Sequence, residues 1–267
     1  MSKLPIGVFD SGLGGLTAFE ELKKLMPKEN LIYFGDNARV PYGTKSESVI
    51  KKFALQDTRF LLSKNVKAIL IACGTVSSTC LADVKNASGV PVVGVVEAAA
   101  EKAVSFAEKN GGPIVVLGTN ATIKSGAYEK AIKKYGDYKI IARACPLFVP
   151  LVENGKTDKD DIAVNAITKE YLCGIEEENP SAVILGCTHY PLLAEAIKKY
   201  VGKAELVSAG KEAAIKLSEE IISLGLASDG VGKAEYYTSD NAALFSENAA
   251  KFFGFSGECE NVDIERF

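Results

Sequence analysis

The chain has 267 residues, of which 47% are hydrophobic and 24% charged, a composition typical of a soluble globular protein with a sizeable core. A formal net charge of −3 without a basic run argues against a nucleic acid or an anionic membrane surface as a partner. Because we find no signal-peptide core and no apolar run of transmembrane length, we expect a cytoplasmic protein with six reduced cysteines.

The first hundred residues alternate short apolar runs with segments of helical periodicity. The predicted strands are Ile6–Phe9, Leu31–Phe34, Ala68–Ala72 and Pro91–Val96, and the predicted helices are Thr17–Met26, Ser46–Ser63 and one that starts near Thr75. This alternation predicts a mostly parallel sheet that is flanked by helices. The longest irregular stretch, residues 36–45, suggests a binding loop.

A second cycle of the same kind begins near residue 114. The run Ile114–Thr119 has the pattern of Ile6–Ser11, although two Ile/Val-rich strands can look alike by chance. Towards the C-terminus we predict a helix over 211–226, a strand over 234–238, a helix over 242–253 and a last segment over 261–264. We expect an α/β fold with two pseudo-symmetric lobes, 1–97 plus 210–267 and 98–209, and an active site in the cleft between them.

Two cysteines occupy matching positions in the two cycles. Cys73 follows the apolar run 67–72 and precedes Thr75, whereas Cys187 follows the run 182–186 and precedes Thr188. Both thiols should leave the carboxyl end of a buried parallel strand, which is where ligands bind in open α/β sheets. A single cysteine in such a context is usually a small buried hydrophobic residue. The matching pair instead indicates one site built from two halves.

Several polar residues are candidates to assist these thiols. His189, the only histidine, lies two residues after Cys187 and can tune or relay its proton. Glu153 ends an apolar segment and can orient that histidine, unless it is an ordinary surface carboxylate. Asp10 opens the glycine-rich loop 10–15, where its alternative role is that of a helix cap.

Further residues are candidates for ligand contact. The turn Pro41-Tyr42-Gly43 suits a close approach of backbone to a small molecule. Thr119 and Thr122 place hydroxyls at the first strand end of the second lobe, where helix capping is the simpler interpretation.

The sequence offers little support for a metal or a nucleotide cofactor. The glycine-rich loop has Gly-x-Gly-Gly spacing and lacks the third glycine of a dinucleotide fingerprint, and Cys-x-x-Cys pairs and a Walker sequence are missing. Two opposed thiols suit a reaction in which one thiolate removes a proton from a carbon acid while the other thiol returns a proton on the opposite face. We therefore expect proton transfer with no cofactor.

Four motifs together resemble the glutamate racemase family. They are Phe-Asp10-Ser11-Gly-Leu-Gly-Gly-Leu, Tyr33-Phe-Gly-Asp36 with Pro41-Tyr42-Gly43, Cys145-Pro-Leu-Phe-Val-Pro-Leu-Val-Glu153, and Gly-Cys187-Thr188-His189-Tyr190-Pro191. The resemblance runs from residue 6 to the C-terminal strand. It implies cofactor-independent interconversion of L- and D-glutamate for peptidoglycan synthesis, hence cell-wall biogenesis and cell shape, by a two-lobed enzyme that commonly forms homodimers.

The resemblance also implies roles for individual residues. Cys73 and Cys187 would be the acid/base pair, with Asp10 assisting Cys73, and Glu153 and His189 assisting Cys187. The residues implied to contact the amino acid are Asp10, Ser11, Pro41, Tyr42, Gly43, Gly74, Thr75, Thr119, Thr122, Thr188 and His189.

One position departs from the family. The residue after the first cysteine is usually Asn, whereas this chain has Gly74 and so lacks an amide side chain for the substrate. The departure leaves open a related two-cysteine racemase for another acidic substrate, such as aspartate. A non-catalytic amino-acid-binding protein and a cysteine hydrolase are further alternatives, although neither would use two opposed thiols.

Overall fold

Two parallel sheets form the framework of the protein, as seen in a computed structural model that describes residues 2–253, 255 and 257–267. The larger sheet has the strand order β10-β9-β2-β1-β3-β4, and its pairs run parallel. Its strands are β1 (Ile6–Asp10), β2 (Leu31–Gly35), β3 (Ala68–Ile71), β4 (Val92–Gly94), β9 (Ala234–Thr238) and β10 (Cys259–Asn261).

The smaller sheet repeats the centre of the larger one. Its order is β6-β5-β7-β8, again parallel, with β5 (Ile114–Gly118), β6 (Ile140–Ala144), β7 (Ala182–Leu185) and β8 (Glu205–Ser208). The order β6-β5-β7-β8 corresponds to β2-β1-β3-β4, so β1 is equivalent to β5 and β3 to β7. The predicted α/β fold with two pseudo-symmetric lobes is therefore confirmed.

Helices cover the sheets. They are α1 (Leu16–Leu25), α2 (Glu47–Ser63), α3 (Gly74–Thr79), α4 (Leu81–Ser88), α5 (Val95–Asn110), α6 (Asn120–Ser125), α7 (Ala127–Lys133), α8 (Phe148–Glu153), α9 (Ile162–Leu172), α10 (Ala194–Lys198), α11 (Ala209–Ser223) and α12 (Ala242–Phe253). The predicted domain limits fall in the first turn of α5 and at the start of α11, and they stay a prediction.

One hydrophobic core joins the two lobes. It contains side chains from the inner faces of both sheets, such as Val8 and Val116, together with small residues of α5 and α11, such as Ala103 and Ala213. Alanines let the helices approach closely, and α11 packs against both α1 and α5. Two further cores, one in each lobe, fill the opposite faces of the sheets.

The prediction of a strand over 91–96 is wrong in its second half. Strand β4 ends at Gly94, and Val95 and Val96 form the first turn of α5. The alanine-rich sequence that follows favours a helix strongly enough to include these two β-branched residues. The hydroxyl of Ser77 accepts a hydrogen bond from the Val95 amide and satisfies one free donor at the helix start.

Candidate active site

The two predicted thiols leave equivalent strands and line one cavity. Cys73 follows β3 and precedes α3, and Cys187 lies in the turn after β7. The cavity between the lobes has a volume of about 120 Å³. The strand ends of both sheets therefore meet at this cleft, as the repeated sequence pattern predicts.

Most of the predicted site residues border this cavity. They are Ser11, Pro41, Tyr42, Gly43, Cys73, Gly74, Thr75, Thr119, Glu153, Cys187, Thr188 and His189. Asp10 and Thr122 lie behind the wall, each in contact with a lining residue. Residues that the sequence did not single out also line it, namely Val40, Thr44, Asn120, Pro146, Val149 and Pro150. Three of these belong to the segment 145–153, and the resemblance of this segment to the family is the feature of the sequence that could have pointed to them.

Cys187 is linked to a histidine and a carboxylate. The Nδ1 atom of His189 lies 3.8 Å from the Cys187 sulfur, and its Nε2 atom lies 3.4 Å from Oε1 of Glu153. Burial by itself lowers the pKa of His189, but the hydrogen bonds to Cys187 and Glu153 and the negative charges of Cys187 and Asp10 raise it to about 10. The imidazole is thus protonated at neutral pH and presents an N–H to the sulfur.

Cys73 has different surroundings. Its side chain is buried, its sulfur lies 3.7 Å from the Ser11 hydroxyl, and the backbone N–H of Val76 also interacts with it. Burial and the negative charge of Asp10 raise the pKa of Cys73. At neutral pH this residue is therefore a thiol. The site holds an acid on the Cys73 side and a positively charged partner on the Cys187 side.

Asp10 organises the glycine-rich loop rather than facing the cavity. Its Oδ2 atom accepts hydrogen bonds from the amides of Gly12 and Gly15, at 3.2 Å and 2.9 Å, and lies 3.5 Å from the Thr188 hydroxyl. Burial is the main cause that raises the pKa of Asp10. Because a buried carboxylate already uses two loop amides, these amides are not free for an external anion.

Gly14 is a position next to the site that the sequence analysis did not name individually. A Cβ atom there would lie 2.4 Å from the Thr188 hydroxyl and 2.7 Å from Nδ1 of His189. Only glycine lets the loop of the first lobe rest against this histidine. In the sequence, the pair of adjacent glycines at 14–15 is the feature that could have pointed to this position.

Threonines connect the lobes across one wall of the cavity. The hydroxyls of Thr75 and Thr119 lie 3.1 Å apart, although these residues belong to different lobes. Thr119 also caps α6 by accepting a hydrogen bond from the Thr122 amide at 3.2 Å. The capping interpretation therefore holds for Thr119, and it coexists with the position of this residue on the cavity wall.

Gly74 lies where a side chain does not fit. A Cβ atom at this position would be 2.1 Å from the carbonyl oxygen of Gly186, the residue that precedes Cys187. The residues next to the two thiols are thus in direct backbone contact across the cleft. The lack of a side chain at position 74 is what permits the two lobes to approach this closely.

The geometry of the cleft narrows the kind of chemistry it can support. Two equivalent α/β lobes, each with a thiol at the end of the corresponding strand, enclose one small cavity, an arrangement that suits proton transfer to and from a carbon centre. Residues 15–217 match the model of the Asp/Glu/Hydantoin racemase family. The chain belongs to this family and is an enzyme, a racemase.

Similar proteins cover the whole chain. A glutamate racemase of Geobacter metallireducens is 40% identical over 97% of this chain and 97% of its own. The crystal structure of the glutamate racemase isoform RacE1 from Bacillus anthracis has a TM-score of 0.93, 35% identity and 98% coverage of both chains. A Francisella tularensis glutamate racemase in complex with D-glutamate has a TM-score of 0.91, 35% identity and full coverage of both chains. The resemblance found in the sequence is confirmed.

No helix in the described part of the chain is long and apolar enough to cross a membrane. Among the same residues, no group of three or more His, Cys, Asp or Glu side chains is arranged to hold a metal ion. The cysteines are free thiols.

Proposed function

We propose that this racemase interconverts L- and D-glutamate by proton transfer between Cα and two cysteines. The observation that carries the proposal is the position of Cys73 and Cys187 just after equivalent strands, at one cavity, in different electrostatic surroundings. The similarity over full length to glutamate racemases, one of them solved with D-glutamate, supports glutamate as the substrate.

The reaction requires one thiolate and one thiol. The thiolate takes the proton from Cα and leaves the electron pair of the C–H bond on the carbon, next to the carboxylate. The other thiol then delivers its proton to the opposite face, so that the configuration is inverted and the roles of the sulfurs are exchanged. The imidazolium of His189 lies next to the Cys187 sulfur and can balance a negative charge there, whereas the buried, negatively charged surroundings of Cys73 favour its thiol.

The carbanion formed in this step is the main energetic difficulty. Hydrogen-bond donors that are already in position stabilise such developing charge without reorganisation. Ser11, Thr75 and Thr188 offer hydroxyls at the cavity wall, and Tyr42 and Gly43 offer backbone at the same wall. We assign these residues to binding of the amino acid, with Thr119 at the contact between the lobes and with Asp10 and Thr122 behind the wall.

Isotope exchange tests the mechanism. Wild-type protein should convert L-glutamate in deuterated buffer to D-glutamate with deuterium at Cα, without an added cofactor. Cys73→Ala and Cys187→Ala should each abolish the conversion. Cys80→Ala, which removes a buried thiol at the end of the same helix α3 without touching the cavity, should keep it. Full racemisation by either active-site variant would contradict the two-thiol mechanism.

Gly74 supports a second candidate substrate. Without a side chain at this position, the cavity lacks an amide donor that the family usually has, so a different acidic amino acid such as aspartate is the alternative. Rates on a panel of amino acids separate the two, and turnover of aspartate equal to that of glutamate would overturn the assignment to glutamate.

The cellular role follows from the proposed product. D-Glutamate would be supplied to peptidoglycan synthesis in the cytoplasm, and so to cell-wall biogenesis and cell shape. Growth of a D-glutamate auxotroph that expresses this chain tests the supply. We also propose that the chain forms a homodimer, as the resemblance to the family implies. Light scattering in solution tests this proposal, and a monomer mass for the active enzyme would exclude it.

A further inference from the structure

A buried polar cluster lies behind the wall of the cavity that is formed by residues 40–44. Its members are Asp36, Arg39, Tyr42 and Asp57, and three of them have side chains that are almost completely inaccessible to solvent. Asp36 follows β2, and Asp57 belongs to α2. The Arg39 side chain is 10% exposed and its guanidinium lies 4.1 Å above the ring of Phe53. The reaction steps described above use no side chain of this cluster.

The hydrogen bonds within the cluster do not balance if both carboxyl groups are ionised. The Tyr42 hydroxyl is in contact with Oδ2 of Asp36 and lies 3.0 Å from Oδ2 of Asp57. A phenol has one proton to donate, so it can satisfy only one of these oxygens as a donor. The other of the two contacts can be a hydrogen bond only if that carboxyl group carries a proton and donates it to the Tyr42 oxygen.

The other partners identify which carboxyl group that is. Nε of Arg39 donates to Asp36 Oδ2 at 2.6 Å, the same oxygen that contacts Tyr42, whereas Arg39 reaches the other oxygen of Asp57, Oδ1, at 3.0 Å. Oδ2 of Asp36 is thus in contact with two donors, Tyr42 and Arg39, as expected for an oxygen of an ionised carboxylate. Asp57 has a donor on Oδ1 and leaves Oδ2 available for a proton that points to Tyr42.

The charges agree with this assignment. One guanidinium and two carboxylates would leave one uncompensated negative charge in the interior, and burial of such a charge is strongly unfavourable. Glu265, 3.3 Å from Arg39 but 60% exposed, adds only a solvated charge at the rim. One proton makes the buried set neutral, and burial together with the negative charge of Asp36 raises the pKa of Asp57 well above its usual range.

We propose that Asp57 is a neutral carboxylic acid that donates a hydrogen bond to Tyr42 and acts as a positioning residue for the cavity wall. The chain of bonds then runs from Asp57 through Tyr42 to Asp36, whose charge is balanced by Arg39. It fixes Tyr42 and with it Gly43, where a Cβ atom would lie 2.7 Å from the Cβ atom of Thr119 in the other lobe. The relevance to substrate binding rests on the proposed function.

Infrared spectroscopy tests the protonation state directly. A difference spectrum at neutral pH between wild type and Asp57→Asn should contain the carbonyl band of a protonated carboxyl group, shifted in deuterated buffer. The loss of carboxylate bands instead would overturn the proposal. This readout does not depend on activity, so a wild-type enzyme without glutamate turnover would count against the proposed function and leave the protonation of Asp57 standing.

Kinetics with two matched variants tests the positioning role. Asn keeps an acceptor for Arg39 and a donor for Tyr42, so Asp57→Asn should keep KM and kcat within about threefold of wild type, whereas Asp57→Ala should raise KM for glutamate about tenfold with a smaller change in kcat. Equal damage by both variants would show that a charge is needed at position 57. Failure of Asp57→Asn to fold would overturn the proposal as well, because a neutral isostere preserves every bond of the chain.

Discussion

The two halves of the candidate active site share a backbone plan but differ in their surroundings. Cys73 and Cys187 follow equivalent strands, yet Cys187 has a protonated histidine at 3.8 Å, whereas Cys73 is buried near the carboxylate of Asp10. Symmetric architecture thus places the sulfurs, and asymmetric neighbours give them different electrostatic surroundings. This difference is what a reaction needs when one sulfur must accept a proton while the other donates one.

The strongest loss of activity is expected from a change at His189. His189→Gln removes the positively charged neighbour of the Cys187 sulfur and should lower kcat by about 10² to 10⁴ in the direction in which Cys187 takes the proton. Exchange of the Cα proton, measured separately with L- and D-glutamate, should fall more for one enantiomer than for the other. An equal loss with both enantiomers would mean that His189 supports the whole site rather than one half of it.

A second effect concerns the contact between the two halves. Gly74→Ala places a methyl group against the Gly186 carbonyl and should push the lobes apart, which lowers kcat/KM by about 100-fold through misplacement of the thiols. Gly230→Ala adds a methyl group outside the cavity, at ordinary φ, and should leave the rate unchanged. An active Gly74→Asn variant with improved affinity for glutamate would contradict this steric interpretation.

The raised pKa of His189 can be measured directly. Because the chain has one histidine, its ring resonances in an NMR titration belong to a single group, and we expect a pKa of about 10. Glu153→Gln removes one of the hydrogen bonds that raise this pKa and should lower it. The same variant should reduce activity only about tenfold or less, since the Glu153 carboxylate is 35% exposed and partly screened by water.

The smallest effect is on stability. A histidine whose pKa is raised by folding contributes stability that is complete below its unfolded value of 6.5 and is lost as the pH rises towards about 10. The free energy of unfolding of wild type, measured with denaturant, should therefore decrease across this window. In His189→Gln the part of this decrease that comes from the histidine should be missing. If the dependence of the free energy of unfolding on pH is the same as in wild type, the decrease comes from other groups.

The sequence predicted those parts of the site that depend on local pattern. Cys73 and Cys187 stand out because each ends an apolar run, and His189 because it lies two residues from a thiol, and all three border the same cavity. The two-lobed α/β architecture is predictable for the same reason, because it follows from the local alternation of apolar runs with segments of helical periodicity. Val95 and Val96 were assigned wrongly because their β-branched side chains suit either a strand or a helix start, and the alanines that follow decided the outcome.

The interactions that the sequence did not predict join residues that are distant along the chain. Asp57 lies in the middle of a helix, and no local signal connects it to Tyr42 or Arg39. The contact of Gly74 with Gly186 likewise depends on how the two lobes meet. Such contacts arise from tertiary packing, which neither spacing nor periodicity encodes directly.

The core that α5 and α11 form between the sheets has a consequence for folding. Because the same side chains are buried against both sheets, neither lobe can complete its interior while the other is unfolded. We therefore expect heat or denaturant to melt the protein in one cooperative transition, with coincident curves from tyrosine fluorescence and circular dichroism. Expressed alone, residues 98–209 should not form a stable domain, even though they contain a complete four-stranded sheet.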